Sequence, residues 1–260
     1  MTLLTEEGIL LRSHAFSESS RILRFLTPGH GLLSVMARGV RKRSGKGGGG
    51  IETFDQVTVV FTHRIDRDLH SARDLHVTRS RRKLASDMTR FAGASLLAEL
   101  VLAHTLQSAD PELYEAVHDA LNALESAPSD DLGGILLSAG WGILARAGFP
   151  PSIEDCASCA MAIPDEGLLG FFEDRGGILC SDCSPVREGG EEAARIRIGP
   201  GARADLQRLL QGDPPTPLRG AASHLGLLER FALHHFGATR PFRSVPLLRP
   251  LLKEPGSGYA

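Results

Sequence analysis

Short runs in which apolar and polar residues alternate fill the first eighty positions. They span Ile9–Phe16, Arg21–Thr27, Leu32–Val40, Gln56–Thr62 and Leu69–Val77. Turn chemistry separates them: Ser17-Glu18-Ser19-Ser20, then Pro28-Gly29-His30-Gly31, then a long glycine-rich stretch. Alternation puts every second side chain on one face, so each run predicts a strand with one buried side. Five short strands around a long middle loop predict a small closed barrel of the OB type. A sandwich usually needs about seven strands.

The period then changes. Between Arg82 and Gln107, Leu84, Met88, Phe91, Leu96, Leu97, Leu100 and Val101 recur at helical spacing. Asp110-Pro111 opens a second helix, with Leu113, Val117, Leu121 and Leu124 on one stripe ending before Pro128. Asp131 is placed to cap a third, with Ile135, Leu136, Ile143 and Leu144 inward, up to Gly148-Phe149-Pro150-Pro151. Pro200–Gln211 and Leu218–Phe236 read as two more amphipathic helices. The prediction is a multi-domain α+β chain. It has an OB-fold barrel over 1–81, a helical bundle in two parts (82–150 and 196–250), an insertion over 151–195, and a disordered tail over 251–260. The insertion should leave and rejoin the bundle through Pro150-Pro151 and Gly189-Gly190, beside the solvated Glu188–Glu192 stretch.

Composition is that of an ordinary globular chain: 260 residues, 42% hydrophobic and 23% charged. The opening Met1–Glu7 lacks a basic, then apolar, leader, and no apolar run approaches the ~20 residues of a membrane span, so the cytoplasm is the expected compartment. The net charge of -2 conceals a split. Residues 1–83 hold 15 Lys+Arg against 8 Asp+Glu, a net of +7, and residues 84–260 hold 14 against 23, a net of -9. A basic barrel suits a polyanion, and an acidic remainder suits other partners.

All four cysteines form one pattern, Cys156-Ala-Ser-Cys159 and Cys180-Ser-Asp-Cys183. Two matched C-x-x-C knuckles predict a tetrahedral Cys₄ shell, the usual structural zinc site. Disulfides would need an oxidising compartment, and a thioredoxin-like motif uses a single C-x-x-C. Four thiolates leave no open position for substrate, which argues against catalytic zinc. A nucleobase deaminase would carry H-x-E and P-C-x-x-C, whereas Asp155 and Leu179 precede these knuckles.

The densest candidate for function is Arg38-Gly39-Val40-Arg41-Lys42-Arg43-Ser44-Gly45-Lys46, running into four glycines. Cations on a loop leaving an OB-fold strand suit phosphate, with counterion release as the driving term. A solvated basic loop is the bland alternative. A phosphate-binding P-loop is poorly supported, because five residues separate Gly39 from Gly45-Lys46 and Gly47 stands where Ser or Thr is required. A second cluster, Arg79-Ser80-Arg81-Arg82-Lys83, sits at the barrel-to-helix junction, and Arg81 and Arg82 join the DNA-binding candidates. Arg12, Arg21 and Arg24 alternate with apolar neighbours and suit the outer barrel face. Phe16, Phe25, Phe54 and Phe61 are candidates to stack bases, with Phe25 and Phe61 better explained as core. His63, His70 and His76 show no ligand spacing and read as surface or satisfied groups, and His234-His235 diverge around their helix. No dinucleotide fingerprint, G-x-S-x-G or zincin motif is present, so no enzyme is predicted.

The run Phe16-Ser17-Glu18-Ser19-Ser20-Arg21-Ile22-Leu23, then Leu26-Thr27-Pro28 and His30 through Gly39, resembles the N-terminal signature of the RecO family of bacterial recombination mediators. The helical middle, the two knuckles found in many members, and the closing Arg240-Pro241-Phe242-Arg243-Ser244 extend the likeness over the chain. The resemblance implies an OB-fold that binds single- and double-stranded DNA and anneals complementary strands. It also implies association with RecR, in some members contact with the acidic tail of single-stranded DNA-binding protein, and loading of RecA. Arg38, Arg41, Lys42 and Arg43 match the basic loop of that signature, while the glycine run at 47–50 is longer than the family pattern. A zinc-stapled protein–protein adaptor without annealing activity is the competing expectation.

Overall fold

The computed structural model describes residues 2–38, 50–64, 66–104, 108–184 and 196–252. The chain packs as two compact units, Met1–Ser126 and Ala127–Ala260.

In the first unit, five strands form a closed barrel: β1 (Thr2–Ala15), β2 (Ser20–Thr27), β3 (Gly31–Arg38), β4 (Gln56–His63) and β5 (Leu69–Arg79), in the order β1-β2-β3-β5-β4. β1 closes it by pairing with β2 along one part and with β4 along the other, and β3 meets β5 in parallel. This is the expected OB-fold. β2 to β5 run close to their predicted spans, whereas β1 begins seven residues before the predicted Ile9, because Thr2–Gly8 pair with β4 to close the barrel. Leu10, Leu23, Phe25, Leu33, Val35, Val57, Val59 and Phe61 fill the interior. Closure removes the exposed sheet edges that would otherwise invite aggregation.

Helices follow directly. The predicted 82–107 helix is divided into α1 (Arg82–Ala85) and α2 (Met88–Ala103). The break has a local cause: Asp87 takes extended backbone and accepts the Arg90 N–H at 2.8 Å, capping α2. α3 (Pro111–Ser126) begins as predicted, with Asp110 accepting the Leu113 N–H at 2.9 Å. α2 and α3 pack with the barrel, so the 82–150 stretch is not one helical body; it divides at residue 126.

The second unit holds α4 (Leu132–Arg146), the cysteine segment with the short strands β6 (Leu169–Phe172), β7 (Gly177–Ile178) and β8 (Ile196–Ile198), then α5 (Pro200–Gln211), α6 (Ala221–His235) and α7 (Val245–Leu251). Trp141 of α4 meets Phe231 of α6 edge-on at 5.3 Å, and Phe171 of β6 meets the same ring at 5.9 Å, so the cysteine segment shares the core of these helices. Asp131, predicted as a cap, lies in a 3₁₀ turn and makes no capping bond. The predicted return at Gly189-Gly190, the Glu188–Glu192 stretch and the tail from 253 on lie outside the described residues.

Candidate nucleic-acid face and metal centre

Side chains on β1, β2 and β3 that point away from the core fall into register as one face. Arg12 of β1 lies directly opposite Arg24 of β2, and Arg24 is opposite Ser34 of β3. Ile22 faces Met36, and Ser20 faces Arg38. A register shift between Leu10 and Arg12 brings the two arginines into this pairing. Like charges directly opposite across strands repel. Burial, and then the Arg12 guanidinium, hold the Arg24 pKa below its ordinary value. Arg24 Nε is buried without a hydrogen-bond partner. Among the described residues no carboxylate pairs with Arg12, Arg24 or Arg38. Arg21 instead donates to the Ser13 hydroxyl at 2.8 Å, and Arg73 to that of Thr62 at 2.9 Å. The face therefore holds cationic charge that no described carboxylate pairs with, which is the electrostatic condition for receiving an anion.

A groove of ≈ 480 Å³ adjoins this face where β3 ends beside the β4–β5 connection. Arg38, Arg67 and His70 bring positive or protonatable groups to it, Asp68 brings one carboxylate, and Met36 and Leu69 bring apolar surface; Arg67 lies 3.9 Å from Asp66. At the tip of the β1–β2 hairpin Phe16 is 60% exposed, so it is free to stack on a base. Phe25, Phe61 and Phe54 are all buried, which removes Phe54 as well as the two core rings from the stacking candidates.

The junction cations divide. Arg82 is exposed at the start of α1. Arg81, expected on a DNA-facing surface, is instead 2% exposed. Its guanidinium donates to the Phe54 carbonyl at 3.3 Å and to Asn122 Oδ1 of α3 at 2.9 Å, while its backbone N–H meets Asp55 Oδ1 at 3.1 Å. Asp55 Oδ2 accepts the Glu52 N–H at 2.9 Å, and Phe54 sits at φ 76. Arg81 thus ties the segment entering β4 to α3, a structural task that the basic run Arg79–Lys83 gave no sign of. Arg79 pairs with Glu125 of α3 at 3.0 Å. Arg41, Lys42, Arg43 and Lys46 lie outside the described residues.

The second site is the cysteine cluster. The Sγ atoms of Cys156, Cys159, Cys180 and Cys183 all lie within 4.8 Å of one another. Cys159 and Cys180, one from each knuckle, are 3.7 Å apart. A disulfide would hold sulfurs at ~2.05 Å, whereas tetrahedral zinc with Zn–S near ~2.3 Å sets an S···S edge of roughly 3.8 Å. Backbone geometry builds the knuckles. The Cys180 N–H points at Cys156 Sγ at 3.3 Å, Ala160 takes φ 58 to turn the chain after the first pair, and the Ser184 N–H bonds the Cys180 carbonyl. Gly177 lets β7 pass against Ser152, where a Cβ would lie 2.0 Å from the Ser152 carbonyl.

Burial alone would raise the Cys156 pKa, but N–H groups of Cys180, Cys159 and Ser158 bring it down to about 6. Sharing protons with Cys159 and Cys180 pushes Cys183 up to about 12. A metal ion among the four sulfurs would favour their ionised forms. The four cysteines fit zinc. Two knuckles at this spacing made the cluster fully legible in the sequence. The Arg12–Arg24 pairing was not, since it depends on the register shift.

Among the described residues no helix is long and apolar enough to cross a membrane. The chain matches the model of the N-terminal domain of recombination protein O over residues 1–81 and that of its C-terminal domain over residues 85–211. It is 31% identical over 260 residues to the DNA repair protein RecO of Streptomyces griseus, covering 94% of this chain and 98% of the relative. The DNA repair protein RecO of Anaeromyxobacter sp. strain K is 31% identical over 239 residues, covering 88% and 90%. That of Rubrobacter xylanophilus is 30% identical over 229 residues, covering 88% of each.

Proposed function

This chain belongs to the RecO family of DNA repair proteins, and from that premise we propose that it binds single- and double-stranded DNA on the β1–β2–β3 face and anneals complementary strands. The observation that carries this reading is the unneutralised arginine pair. Arg12 and Arg24 face each other across two strands with no acid between them, a costly arrangement that a phosphate backbone relieves. Arg38 and Arg67 extend the positive surface into the groove, and the basic loop that leaves Arg38 (Arg41, Lys42, Arg43, Lys46) supplies further phosphate contacts. Arg82 is the junction residue retained in the DNA-binding set. Arg81 is withdrawn from it, since its burial leaves no route to a phosphate.

Annealing on such a surface breaks no covalent bond, so no catalytic residue is assigned. Cations that hold two strands lower their mutual repulsion and raise their effective concentration for pairing. We place RecR, and the acidic tail of single-stranded DNA-binding protein, among the partners through which the protein helps load RecA in the cytoplasm. Family membership supports that part of the reading. The cysteine cluster holds zinc as a structural staple: Cys156, Cys159, Cys180 and Cys183 supply four sulfurs, and the metal's binding free energy becomes folding free energy of the segment.

An annealing assay with complementary oligonucleotides, run with the native protein and with the Arg12→Gln/Arg24→Met double variant, tests the reading. The native protein should speed pairing and the variant should lose most of that effect. A native protein that leaves pairing unchanged would favour a zinc-stapled adaptor instead.

A further inference from the structure

Three imidazoles gather at one end of the barrel. His63, ending β4, and His70, on β5, have ring centroids 4.9 Å apart, and His30, on the β2–β3 turn, lies 5.7 Å from His63. All three pack on Phe61, at 5.8 Å for His30, 6.4 Å for His63 and 5.5 Å for His70. The turn is pressed against β1: a Cβ on Gly29 would lie 2.5 Å from Glu6 Oε1, and His30 Nδ1 bonds that same oxygen at 2.9 Å. The sequence pattern grouped His76 with His63 and His70. The turn replaces it with His30, and His76 is exposed on β5.

The cluster borders the groove, since His70 lines it together with Arg38 and Arg67. In the free protein His70 Nδ1 accepts the Arg64 backbone N–H at 3.4 Å, which only the neutral ring can do. Burial, then positive charge on His63 and His30, hold the His70 pKa below its ordinary value, with Asp68 opposing. The charged groups around the cluster are Glu6 from β1, Arg38 from β3, and Arg64, Arg67 and Asp68 from the β4–β5 connection. A polyanion in the groove changes that balance, because added negative charge favours each protonated imidazole.

We propose that His30, His63 and His70 extend the nucleic-acid surface and take up protons as a strand seats in the groove, so that binding tightens as pH falls. This rests on the nucleic-acid reading of the barrel. The sign follows from linkage. Binding raises the imidazole pKa values, so the extra attraction is present below them and is lost as pH rises through them. Bound strand and bound protons therefore promote each other.

The test uses the full chain and fluorescein-labelled oligothymidylate, whose base does not titrate in this range. Between about pH 7.5 and about pH 5.5 at fixed salt, affinity should rise at least about tenfold, as expected for uptake of one proton or more by imidazoles. His63→Gln/His70→Gln should cut that rise to under about threefold, and the exposed-site control His76→Gln should retain it. Calorimetry of the unaltered protein in buffers of different ionisation enthalpy counts the protons directly and does not depend on any variant folding. Measurable uptake near neutral pH supports the proposal, and none overturns it. Tight but pH-independent binding would overturn the proton linkage and leave the DNA reading standing. Absence of oligothymidylate binding at every pH would overturn both.

Discussion

In residues 127–260 the arginines find carboxylates: Arg203 with Asp165 at 3.2 Å, Arg208 with Asp213 at 3.0 Å, and Arg249 with Glu229 at 3.2 Å. On the barrel Arg79 also pairs with Glu125 and Arg67 lies 3.9 Å from Asp66, but other arginines have neighbours of another kind. Arg12 faces Arg24, Arg21 and Arg73 bond hydroxyls, and Arg38 lines an open groove. The same residue type meets acids in these pairs, whereas among the described residues Arg12, Arg24 and Arg38 of the β1–β2–β3 face meet none. The net charges of +7 and -9 report this difference only coarsely, because they divide the chain at residue 83 and count Arg81 with the surplus. Surplus charge is informative where a fold had the chance to neutralise it and did not. The barrel carries Asp and Glu elsewhere, on the Glu6 and Asp55 sides, yet among the described residues none pairs with Arg12 or Arg24.

The sharpest way to break this comparison is to remove the second unit's staple. Chelation of zinc, or Cys180→Ser, should lower the melting temperature of that unit by more than about 10 °C, followed by calorimetry alongside metal analysis. Oligonucleotide binding at low temperature should persist. If DNA affinity disappears with the metal while the barrel stays folded, the division of labour is reversed.

Next in size is the arginine that builds rather than binds. Arg81→Met deprives the Phe54 carbonyl and Asn122 of a charged donor and should cost about 2–4 kcal/mol in denaturant unfolding. Where the variant is folded, its DNA affinity should match that of the unaltered protein. A folded variant with weakened DNA binding would return Arg81 to the interface. Charge reversal of Arg41, Lys42 and Arg43 to Glu should do the opposite. It should leave stability within about 0.5 kcal/mol, weaken binding across all sequences, and reduce the salt slope by ~0.9 for each phosphate that is no longer neutralised. Unchanged slopes in a salt titration would take the loop out of the site. The smallest effect belongs to the exposed pair Arg208–Asp213: Arg208→Ala should change stability by at most about 0.5 kcal/mol and leave DNA binding untouched.

Local chemistry made much of this fold legible. Five strands and their turns follow from alternation, and the cysteine cluster follows from two C-x-x-C knuckles. α5 is legible to the residue because Pro200 opens it and Gly212, at φ 78, closes it. What escaped depends on distant contacts or on short elements. α7 carries Pro246 and Pro250, residues that read as stops, yet Pro246 lies in the first turn where no N–H is needed, and Leu248 buries fully. β6, β7 and β8 are two to four residues long and exist because they pair with one another. Within the site, Arg81 looked like its neighbours because burial is decided by Asn122, 41 residues away. The His30 contact arises from a turn folded onto Glu6, which the spacing of histidines along the chain does not encode.

The central claim is that the barrel's arginine pair serves a ligand at the expense of the fold, and Arg24→Met examines it in one protein. Methionine keeps an apolar stem of similar reach and removes the charge that Arg12 opposes. Paired measurements of thermal stability and of oligonucleotide affinity at two salt concentrations give the answer. The account predicts weaker, less salt-dependent binding, with stability unchanged or raised by up to about 1 kcal/mol as the cross-strand repulsion is relieved. Lost stability with undiminished DNA affinity would contradict it.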